Sequence, residues 1–439
     1  MAGAGARGKD KPTVTQTIGV GIIGYGTVGQ ASARILREHA AELAARAGAP
    51  IEVRAICRRT PVPESPWPYY SDWRQVVSNP EVAVVVETMG GTGEARQAVH
   101  AALAAGKPVV TANKNLIARH GDEIFAYAAS RNLPIGMEAS VAGGLPVIRA
   151  IAEGTAADRL SSIRGILNGT TNYILSRMEA SGLDFAEALR AAQSAGYAES
   201  DPAMDISGQD ARDKLCILSR LGFGLPLPAE EIPMRGIAAI NAVDIQYARQ
   251  LGRKIRSLAV AEWVGEILEV SVGPWLLPQE SSLAKVEGVN NAVLLQGDNI
   301  GEQILQGPGA GGAATGVAVV SDVLDIAAML VSGHLGVRPM PGFACAAAAP
   351  WSGLSSHSGW YLRLTIQDDR PGILARVAEL IAREGINIDS VVQAPHMGKS
   401  RLSFVITVEP VDEARLRRAL EHINACEFML EPALALRIG

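Results

Sequence analysis

The residues best suited to acid–base chemistry lie in the stretch DISGQDARDKLCIL, residues 205–218. Asp210 and Lys214 are four residues apart, so on a helix they share one face, which continues into the apolar residues Ile217 and Leu218. A lysine partly removed from water can exchange a proton with a substrate. The alternative is an ordinary solvated salt bridge, which contributes only a few tenths of a kcal/mol.

The charges around this pair are divided between two groups. Arg212, Asp213 and Arg220 are predicted to project from a separate stripe of the helix. Glu199 and Asp205, just upstream, add carboxylates that suit the ammonium group of an amino-acid substrate.

A glycine-rich loop, GIIGYGTVGQ, places Gly24, Gly26 and Gly29 in GxGxxG spacing. It follows an apolar stretch, opens a helical one and precedes a second apolar stretch at the distance of a βαβ unit. Glycines allow a tight turn and let a pyrophosphate approach the backbone N–H groups at the helix start. The loop therefore predicts dinucleotide binding.

The second strand ends in ICRRT, with Arg58 and Arg59 where an NAD-preferring protein places an acidic residue. A guanidinium pairs with a 2′-phosphate. The arginines thus favour NADPH, or use of both NADPH and NADH, although two exposed loop arginines are the alternative.

The elements that must position these residues form three blocks. Residues 18–149 alternate strands with helices, including a strand KPVVTANK through Lys114 and a helix near 121–131, which predicts an α/β fold with a doubly wound parallel sheet. Residues 150–307 mix longer helices and strands as an α+β domain, and the glycine-rich, then helical segment at about 308–331 is expected to complete the first domain. Residues 1–17 are predicted to be disordered and residues 332–358 to be a linker.

The tail, residues 359–439, has the element order βαββαβ and is predicted to be a separate small domain. Its first helix has Asp369 near the N-cap and stops at Gly385. Leu374, Val377 and Ile381 are expected on the buried face of that helix.

Composition excludes several classes of protein. A chain of 439 residues is long enough for about three domains. The net charge of −5 includes no dense basic cluster, which argues against nucleic acid as a partner. The chain shows no export signal and no uncharged run long enough to span a membrane, which predicts a cytoplasmic protein. The cysteines have no metal-ligand spacing and indicate a reducing compartment; they are Cys57, Cys216, Cys345 and Cys426.

From residue 18 to about 330 the chain resembles homoserine dehydrogenase, and from about 359 it resembles the amino-acid-sensing ACT domain. No amino-kinase domain precedes the dehydrogenase part, which suggests the monofunctional form. The resemblance implies the interconversion of L-aspartate 4-semialdehyde and L-homoserine, on the route to threonine, methionine and isoleucine. The motifs in order are GIIGYGTVG, VVTANKNL, EASVAGGLPVI, GILNGTTNYIL, GYAESDPAMDISGQDARDKLCIL and GPGAGGAATGVAVVSD.

The same resemblance assigns roles to individual residues. Lys214 and Asp210 match a catalytic lysine and the carboxylate before it, and Lys114 matches a second lysine near the nicotinamide and the substrate. The expected substrate-side residues are Glu199, Asp205, Tyr197, Gly169, Thr170 and Lys214. The expected cofactor-binding residues are Gly24, Tyr25, Gly26, Thr27, Val28, Gly29, Arg58, Arg59, Thr88, Lys114 and Gly311.

Two further sites are expected, a cation site from the resemblance alone and an effector site from the resemblance together with the helix start after Pro371 and Gly372. A monovalent cation, usually sodium, is expected at Glu138 and at main-chain oxygens of Val141, Gly143 and Leu145, where the residues themselves indicate only a loop between a strand and a helix. An amino-acid effector, threonine in particular, is expected near Gly372 and Asn387, between paired ACT domains of a homo-oligomer, either a dimer or a tetramer. The alternative is a tail that only strengthens assembly.

The expected chemistry is hydride transfer from a reduced nicotinamide to the aldehyde carbon, with the Lys214 ammonium protonating or stabilising the alkoxide. A non-catalytic regulator would not need Lys214, Glu199 and Asp205 in one stretch. A 2-hydroxyacid dehydrogenase with an ACT tail would need a catalytic histidine, and His100 and His120 lie in helical stretches that favour solvated faces.

Overall fold

A computed structural model of the chain describes residues 16–60, 65–337, 340, 342–343, 349–367, 371–393 and 401–439. Four of the features expected from the sequence lie at least partly outside the described residues: most of the disordered segment 1–17, part of the linker 332–358, Cys345, and Asp369 as a helix cap.

The first domain begins with an alternation of strands and helices. Strand β1 is buried along its whole length, because helices cover both faces of a parallel sheet. The elements are β1 (Ile18–Ile23), α1 (Thr27–Glu38), α2 (Ala40–Ala47), β2 (Ile51–Cys57), β3 (Tyr69–Tyr70), α3 (Trp73–Ser78), β4 (Val84–Glu87), α4 (Gly93–Ala104), β5 (Val109–Thr111), α5 (Lys114–Ser130) and β6 (Ile135–Gly136). The strands pair in parallel in the order β3-β2-β1-β4-β5-β6, which confirms the predicted doubly wound sheet.

The expected strand through Lys114 and the expected helix start near residue 121 are wrong. Strand β5 stops at Thr111, and α5 begins at Lys114. The reason is a cap: the side chain of Asn113 accepts a hydrogen bond from the backbone N–H of Leu116, which satisfies a free donor of the first turn. Lys114 is thereby placed at the carboxyl end of the sheet, at the start of a helix.

The central domain combines helices with a long antiparallel sheet. Its elements are α6 (Val147–Arg149), β7 (Leu160–Ile166), α7 (Gly169–Ser181), α8 (Phe185–Ser194), α9 (Ala203–Ile206), α10 (Gln209–Phe223), α11 (Ala242–Gln250), β8 (Arg253–Val264), β9 (Ile267–Pro278), β10 (Asn290–Gly297) and β11 (Gly301–Pro308). Adjacent strands pair antiparallel in the order β11-β10-β7-β8-β9. Helix α10 crosses this sheet between its buried face and α5.

Helix α12 (Gly312–Ser332) returns the chain to the first domain, where it packs against α1. It is the helix of the described residues that is long and apolar enough to cross a membrane by length and composition, and half of its most apolar window is buried inside the fold. Its buried Asp322 is paired with Arg149 at 2.6 Å, as expected for a core helix.

The C-terminal elements confirm the predicted βαββαβ order. They are β12 (Trp351–Ser352), β13 (Ser358–Ile366), α13 (Ile373–Arg383), β14 (Ile388–Val392), β15 (Leu402–Val411), α14 (Glu413–Asn424) and β16 (Leu434–Ile438), with β12 preceding the βαββαβ unit. On α13 the buried residues are Ile373, Val377, Leu380 and Ile381. The expectation for Leu374 is wrong, since it is 47% exposed and Leu380 packs in its place.

The sheet of the C-terminal unit continues the sheet of the central domain. Strand β16 pairs in parallel with β9, through Arg437 with Trp275 and Ile438 with Leu276, so that ten strands form one sheet. Tyr361 and Leu436 also share a hydrophobic core with Ile174 of α7. The sequence, read as a separate small domain, did not indicate this junction.

Candidate active site

A cavity of about 610 Å³ lies between the carboxyl end of the parallel sheet, the first turn of α7 and the start of α10. It brings together many of the residues expected to form the site, although they are spread over about two hundred positions of the chain. Those residues are Lys114, Gly143, Gly169, Thr170, Tyr197, Glu199, Asp205, Asp210, Lys214 and Gly311.

Asp210 is at the centre of the polar wall of this cavity. Its Oδ2 lies 2.7 Å from Nζ of Lys214, and its Oδ1 lies 2.8 Å from Nζ of Lys114. Nζ of Lys214 also donates a hydrogen bond of 2.7 Å to the carbonyl oxygen of Leu167, at the end of β7. One carboxylate therefore orients two ammonium groups, one from α10 and one from α5.

The two lysines control the protonation of this cluster. Burial alone opposes ionisation of Asp210, but Lys214 and Lys114 outweigh it and hold the pKa of Asp210 well below its usual range. Burial likewise acts to lower the pKa of Lys114, yet the adjacent Asp210 carboxylate outweighs it, and the pKa of Lys114 is raised. At neutral pH Asp210 is thus a carboxylate and cannot act as a proton donor.

Helix α10 has no solvent-facing stripe: the separate stripe predicted for Arg212, Asp213 and Arg220 is buried as well. All three are at most 9% exposed, because α5 packs across that side of α10. Helix α5 supplies the partners: Arg119 is 3.4 Å from Asp213, and Asp122 pairs with Arg220. Helix periodicity separated the two stripes correctly but could not show that a second helix covers the charged one.

The start of α7 and the segment before α9 also line the cavity. Gly169 leaves no room for a side chain, since a Cβ there would lie 2.5 Å from the carbonyl oxygen of Val289. The hydroxyl of Thr170 donates a hydrogen bond of 2.7 Å to the carbonyl oxygen of Tyr197. Tyr197 is 46% exposed, and Glu199 is exposed at the cavity mouth, where a charged ligand can reach it.

Two asparagines that line the cavity were not singled out from the sequence. Asn168 accepts a hydrogen bond from the N–H of Thr171 as the cap of α7, and its amide contacts Asp205 and Asp210. Asn291 donates to the carbonyl oxygen of Leu167 at 3.0 Å. An asparagine just before a helix is a recognisable cap, but its carboxylate contacts depend on residues about forty positions away.

The glycine loop has the geometry needed to hold a dinucleotide. Gly24 has φ +98°, and a Cβ there would lie 2.5 Å from the carbonyl carbon of Thr88. The hydroxyl of Thr88 fixes the loop by donating to the carbonyl oxygen of Gly24 at 2.6 Å. Among the described residues no side chain caps α1, which begins after Gly26, so its first N–H groups can meet a phosphate.

The loop and the cavity adjoin each other through the start of α12. A Cβ built on Gly312, the neighbour of the cavity residue Gly311, would lie 3.0 Å from Thr27. Val28 is half-buried, and Tyr25 is buried with its ring edge-on to Trp67. A cofactor bound at the loop would thus extend towards Lys114 and Lys214.

Arg58 and Arg59 directly follow β2 and are exposed. The main chain of Arg58 is fixed by Tyr70 and by the hydroxyl of Tyr69, whereas its guanidinium makes no ion pair with the described residues. Both guanidinium groups are therefore available to a ligand phosphate.

Glu138 lies beside the cavity in a short 3-10 turn, Glu138–Ser140. Its carboxylate accepts hydrogen bonds from the backbone N–H groups of Ile148 and Arg149 at 2.8 and 3.0 Å. Burial nevertheless raises the pKa of Glu138 to about 7, with a further contribution from Asp322. Nε of Arg149, 3.5 Å from Oε2, offsets part of the charge of this carboxylate but not the whole effect of burial.

The remaining residues expected to hold that cation form the turn after Glu138. Ala142 and Gly143 have positive φ values of 52° and 36°, so the backbone turns sharply there. The carbonyl oxygen of Leu145 accepts from the N–H of Val147 at 2.8 Å and keeps a second lone pair. Val141 is fully buried next to them.

The two expected effector residues lie in the C-terminal unit and do not line the cavity. Gly372 precedes α13 with φ +95°. Asn387, just before β14, is exposed and donates a hydrogen bond of 3.0 Å to Glu409.

The described residues that line the cavity include no histidine. Nε2 of His100 is 2.8 Å from Glu123, on the far side of α4 and α5, and its ring packs on Tyr127. The cavity thus lacks, among the described residues, the histidine that a 2-hydroxyacid dehydrogenase would need, whereas Lys114 and Lys214 both line it.

Comparison with known proteins identifies three family models along the chain. The NAD-binding domain of homoserine dehydrogenase matches residues 24–137, homoserine dehydrogenase matches residues 146–324, and the ACT domain matches residues 360–428. The matches follow the three structural units in order.

Whole proteins of this kind are also similar over nearly the full length. A homoserine dehydrogenase of Pseudomonas aeruginosa is 40% identical over 437 residues, covering 95% of this chain and 98% of the relative. The crystal structure of a homoserine dehydrogenase from Thiobacillus denitrificans superposes with a TM-score of 0.90 at 36% identity, over 96% of this chain and 98% of that one. A hyperthermophilic archaeal homoserine dehydrogenase in complex with NADPH has a TM-score of 0.60 at 29% identity, over 71% of this chain and 97% of that one.

Proposed function

The chain belongs to the homoserine dehydrogenase family, and on that premise we propose that it reduces L-aspartate 4-semialdehyde to L-homoserine with NADPH or NADH. As a member of that family it is a nicotinamide-dependent oxidoreductase acting on a CH–OH group. The observation that supports the specific reaction is the Asp210 carboxylate, which holds the ammonium groups of Lys114 and Lys214 at the cavity wall.

The substrate is oriented by charge. Its ammonium group meets Asp205 and Glu199, and its aldehyde oxygen then points towards Lys214. When bound, the reduced nicotinamide supplies a hydride to the aldehyde carbon. The oxygen gains negative charge as the C–H bond forms, and the Lys214 ammonium stabilises this charge and passes a proton to the oxygen.

Asp210 positions this step and does not itself donate a proton. Its low pKa keeps it ionised, so it fixes Lys214 and stabilises the ammonium form between turnovers. Lys114 shares the same carboxylate and adds positive charge beside the reacting oxygen. The neutral amine of Lys214 then takes up a proton from solvent through the open side of the cavity.

An absorbance assay at the nicotinamide band tests the reaction directly. Homoserine with NADP, and separately with NAD, is expected to generate the reduced cofactor, and faster turnover with NADP is expected from Arg58 and Arg59. A purified chain that reduces neither cofactor with homoserine, while glycerate or another 2-hydroxy acid is oxidised, would reassign the substrate class.

The second part of the proposal is a monovalent cation, sodium first, at Glu138 and the carbonyl oxygens of Val141, Gly143 and Leu145. It rests on the buried carboxylate and the turn beside it. Sodium chloride is expected to raise the melting temperature more than choline chloride at equal ionic strength, and Glu138→Gln is expected to remove this difference. An equal response to both salts would argue against a specific cation.

The third part is regulation by an amino-acid end product, threonine in particular, bound near Gly372 and Asn387 in a homo-oligomer. Support comes from the ACT match, from the start of α13, where the N-cap residue Gly372 has no side chain to bind the first N–H groups, and from β14, which forms the edge of the ten-stranded sheet. Pairing of two such edges would place effector sites between two copies of the chain.

Millimolar threonine is expected to lower turnover, an order of magnitude typical of metabolite affinities. Asn387→Ala is expected to reduce this sensitivity without changing uninhibited turnover, whereas Arg415→Ala, an exposed residue on α14, serves as the control. If threonine, isoleucine and methionine all leave activity unchanged and calorimetry detects no binding, the C-terminal unit acts in assembly only. The biosynthetic role in threonine, methionine and isoleucine formation and a cytoplasmic location follow from the proposed reaction.

A further inference from the structure

We propose that Asn168 is a positioning residue for the reaction, because its one amide group holds Asp205 and Asp210 together while it caps α7. The inference deepens the proposed function and rests on it for the roles of the two carboxylates. Asn168 itself touches neither reacting atom in this scheme and acts through its neighbours.

The hydrogen bonds of Asn168 use both of its amide donors. Nδ2 donates to Oδ1 of Asp205 at 2.7 Å and to Oδ2 of Asp210 at 2.9 Å. Oδ1 accepts from the backbone N–H of Thr171 at 2.8 Å. The side chain is only 6% exposed, so water cannot easily replace these bonds.

The orientation of this amide is determined by its partners. The N–H of Thr171 can only donate, so the oxygen must face it, and the NH₂ group must then face the two carboxylates. A flipped amide would place its oxygen against both carboxylates and leave the donor of Thr171 without an acceptor. The three bonds therefore act together.

The position of Asn168 in the fold explains why it can join distant parts of the site. It lies between the end of β7 and the first residue of α7, next to the carbonyl of Leu167 that accepts from Lys214. Asp205 belongs to α9 and Asp210 to α10, about forty residues further along. Asn168 thus links the substrate-side carboxylate to the carboxylate that orients both lysines.

This link has a chemical consequence for Asp205. Burial and the nearby charge of Asp210 raise the pKa of Asp205, and the hydrogen bond from Asn168 opposes that shift. Lys214 from α10 and the hydroxyl of Thr170 from α7 also act to lower the pKa of Asp205. The charge of Asp205 in turn acts to raise the pKa of Lys114 on α5. Without the Asn168 donor, two carboxylates would face each other, and Asp205 would protonate more easily and lose its attraction for the substrate ammonium.

The variants Asn168→Ser and Asn168→Asp distinguish the positioning of the two carboxylates from the capping of α7. Both replacements can still accept from the N–H of Thr171 and are good helix caps, but neither can donate to both carboxylates. Asn168→Asp has nearly the same size and adds a third negative charge. Asn241→Ser is the matched control, since Asn241 caps α11 outside the cavity by accepting from the N–H groups of Val243 and Asp244.

Steady-state kinetics of homoserine oxidation between pH 6 and 9 give the first readout. Asn168→Ser is expected to raise KM for homoserine and lower kcat/KM by about tenfold, the scale of a lost hydrogen bond to a charged group. The acid limb of its kcat/KM profile is expected to move to higher pH, because Asp205 protonates more easily. Asn168→Asp is expected to lower kcat/KM further than Asn168→Ser does. Asn241→Ser is expected to leave the pH profile of kcat/KM unchanged.

An activity loss in Asn168→Ser that matches its loss of stability, with an unmoved pH profile, would show a cap only and overturn the proposal. A crystal structure of Asn168→Ser gives a readout that does not depend on turnover. A carboxylate of Asp205 turned away from Asp210 supports the positioning role, and unmoved carboxylates refute it. If the wild-type chain does not oxidise homoserine, the proposed function fails while this structural comparison still decides the role of Asn168.

Discussion

Two buried aspartates, Asp210 and Asp244, have the same side chain but different surroundings, and the surroundings determine what each carboxylate can do. Asp210 faces the 610 Å³ cavity and pairs with two lysines. Asp244, on α11, is fully buried where the C-terminal sheet meets the central domain, and it pairs with Arg363 and accepts from the hydroxyl of Tyr361 at 2.8 Å. One aspartate faces space for a ligand and the other faces only protein.

The two carboxylates also titrate in opposite directions. Burial raises the pKa of Asp244 despite its pairing with Arg363, whereas at Asp210 the charges of two lysines outweigh burial and lower the pKa. Lys214 donates to Asp210 and Leu167, and its remaining N–H has no acceptor among the described residues. A cluster that keeps free donors beside a cavity can do chemistry, while an enclosed cluster joins domains.

Helix α7 lies between these two regions. Its cap, Asn168, contacts Asp210. Further along α7, Ile174, Leu175 and Met178 pack in the same core as Tyr361 of β13 in the C-terminal unit. The C-terminal unit is therefore in physical contact with a helix that lines the cavity.

The largest effect is expected from Asp244→Ala. It removes the closer of the two carboxylates that pair with Arg363, whose side chain is only 6% exposed, and leaves only Glu431 at 3.4 Å. Breaking a buried pair costs about 3–5 kcal/mol. Urea denaturation is expected to show a much lower midpoint, with near-normal turnover per folded molecule. Glu421→Ala, an exposed carboxylate on α14, is the control, and an Asp244→Ala midpoint equal to that of the control would remove the structural role assigned to this pair.

Lys214→Ala is expected to have the opposite effect: turnover is lost, while folding and cofactor binding are retained. Loss of the general acid should lower kcat by at least about a hundredfold, or ~2.7 kcal/mol of transition-state stabilisation. The assay follows nicotinamide absorbance, with Lys285→Ala as an exposed lysine control at 58% side-chain exposure. Turnover within a few-fold of the wild type would exclude Lys214 from proton transfer and leave Lys114 as the donor.

Arg58→Ala tests a charge that belongs to neither cluster. Because this arginine is exposed, stability should not change, but KM for NADPH should rise about tenfold, or ~1.4 kcal/mol, while KM for NADH changes little. The measurement is a pair of cofactor titrations on one preparation. Equal losses for both cofactors would mean that Arg58 does not contact the 2′-phosphate.

The smallest expected effect is the change of stability with pH, measured against the neutral isosteres Asp210→Asn and Asp244→Asn. The folded pKa of Asp210 is lowered, so its contribution to stability is complete above the unfolded value, about 3.9, and is lost only as pH falls through the folded value. The folded pKa of Asp244 is raised, so its contribution is complete below the unfolded value and is lost as pH rises through the folded one.

Denaturation midpoints measured upwards from pH 4 should therefore separate the two sites. The stability gap between wild type and Asp244→Asn is expected to narrow as pH rises, by about 1.4 kcal/mol for each pH unit between the unfolded and the folded pKa of Asp244, whereas the gap for Asp210→Asn stays constant. Parallel pH dependence for both variants would contradict the opposite electrostatics of the two sites.

Much of the molecule follows from local sequence alone. The glycine loop between an apolar strand and a helix predicts the dinucleotide fold, because only that order gives a tight turn at a helix start. The spacing of Asp210 and Lys214 predicts their contact, because residues four apart on a helix adjoin. The βαββαβ order of the tail is likewise visible in its alternation and turn residues.

Other features depend on contacts between residues far apart in the chain, which no local pattern encodes. Packing of α5 on α10 buries Arg212, Asp213 and Arg220 and brings Lys114 to Asp210, whereas helix periodicity alone placed those charges on a separate stripe without showing what covers it. Pairing of β16 with β9 merges two sheets into one, because an open strand edge takes whichever partner the tertiary fold presents. Asn168 is a helix cap by sequence, and only the folded chain sets its second role, since its amide reaches Asp205 and Asp210 after three separate elements have come together.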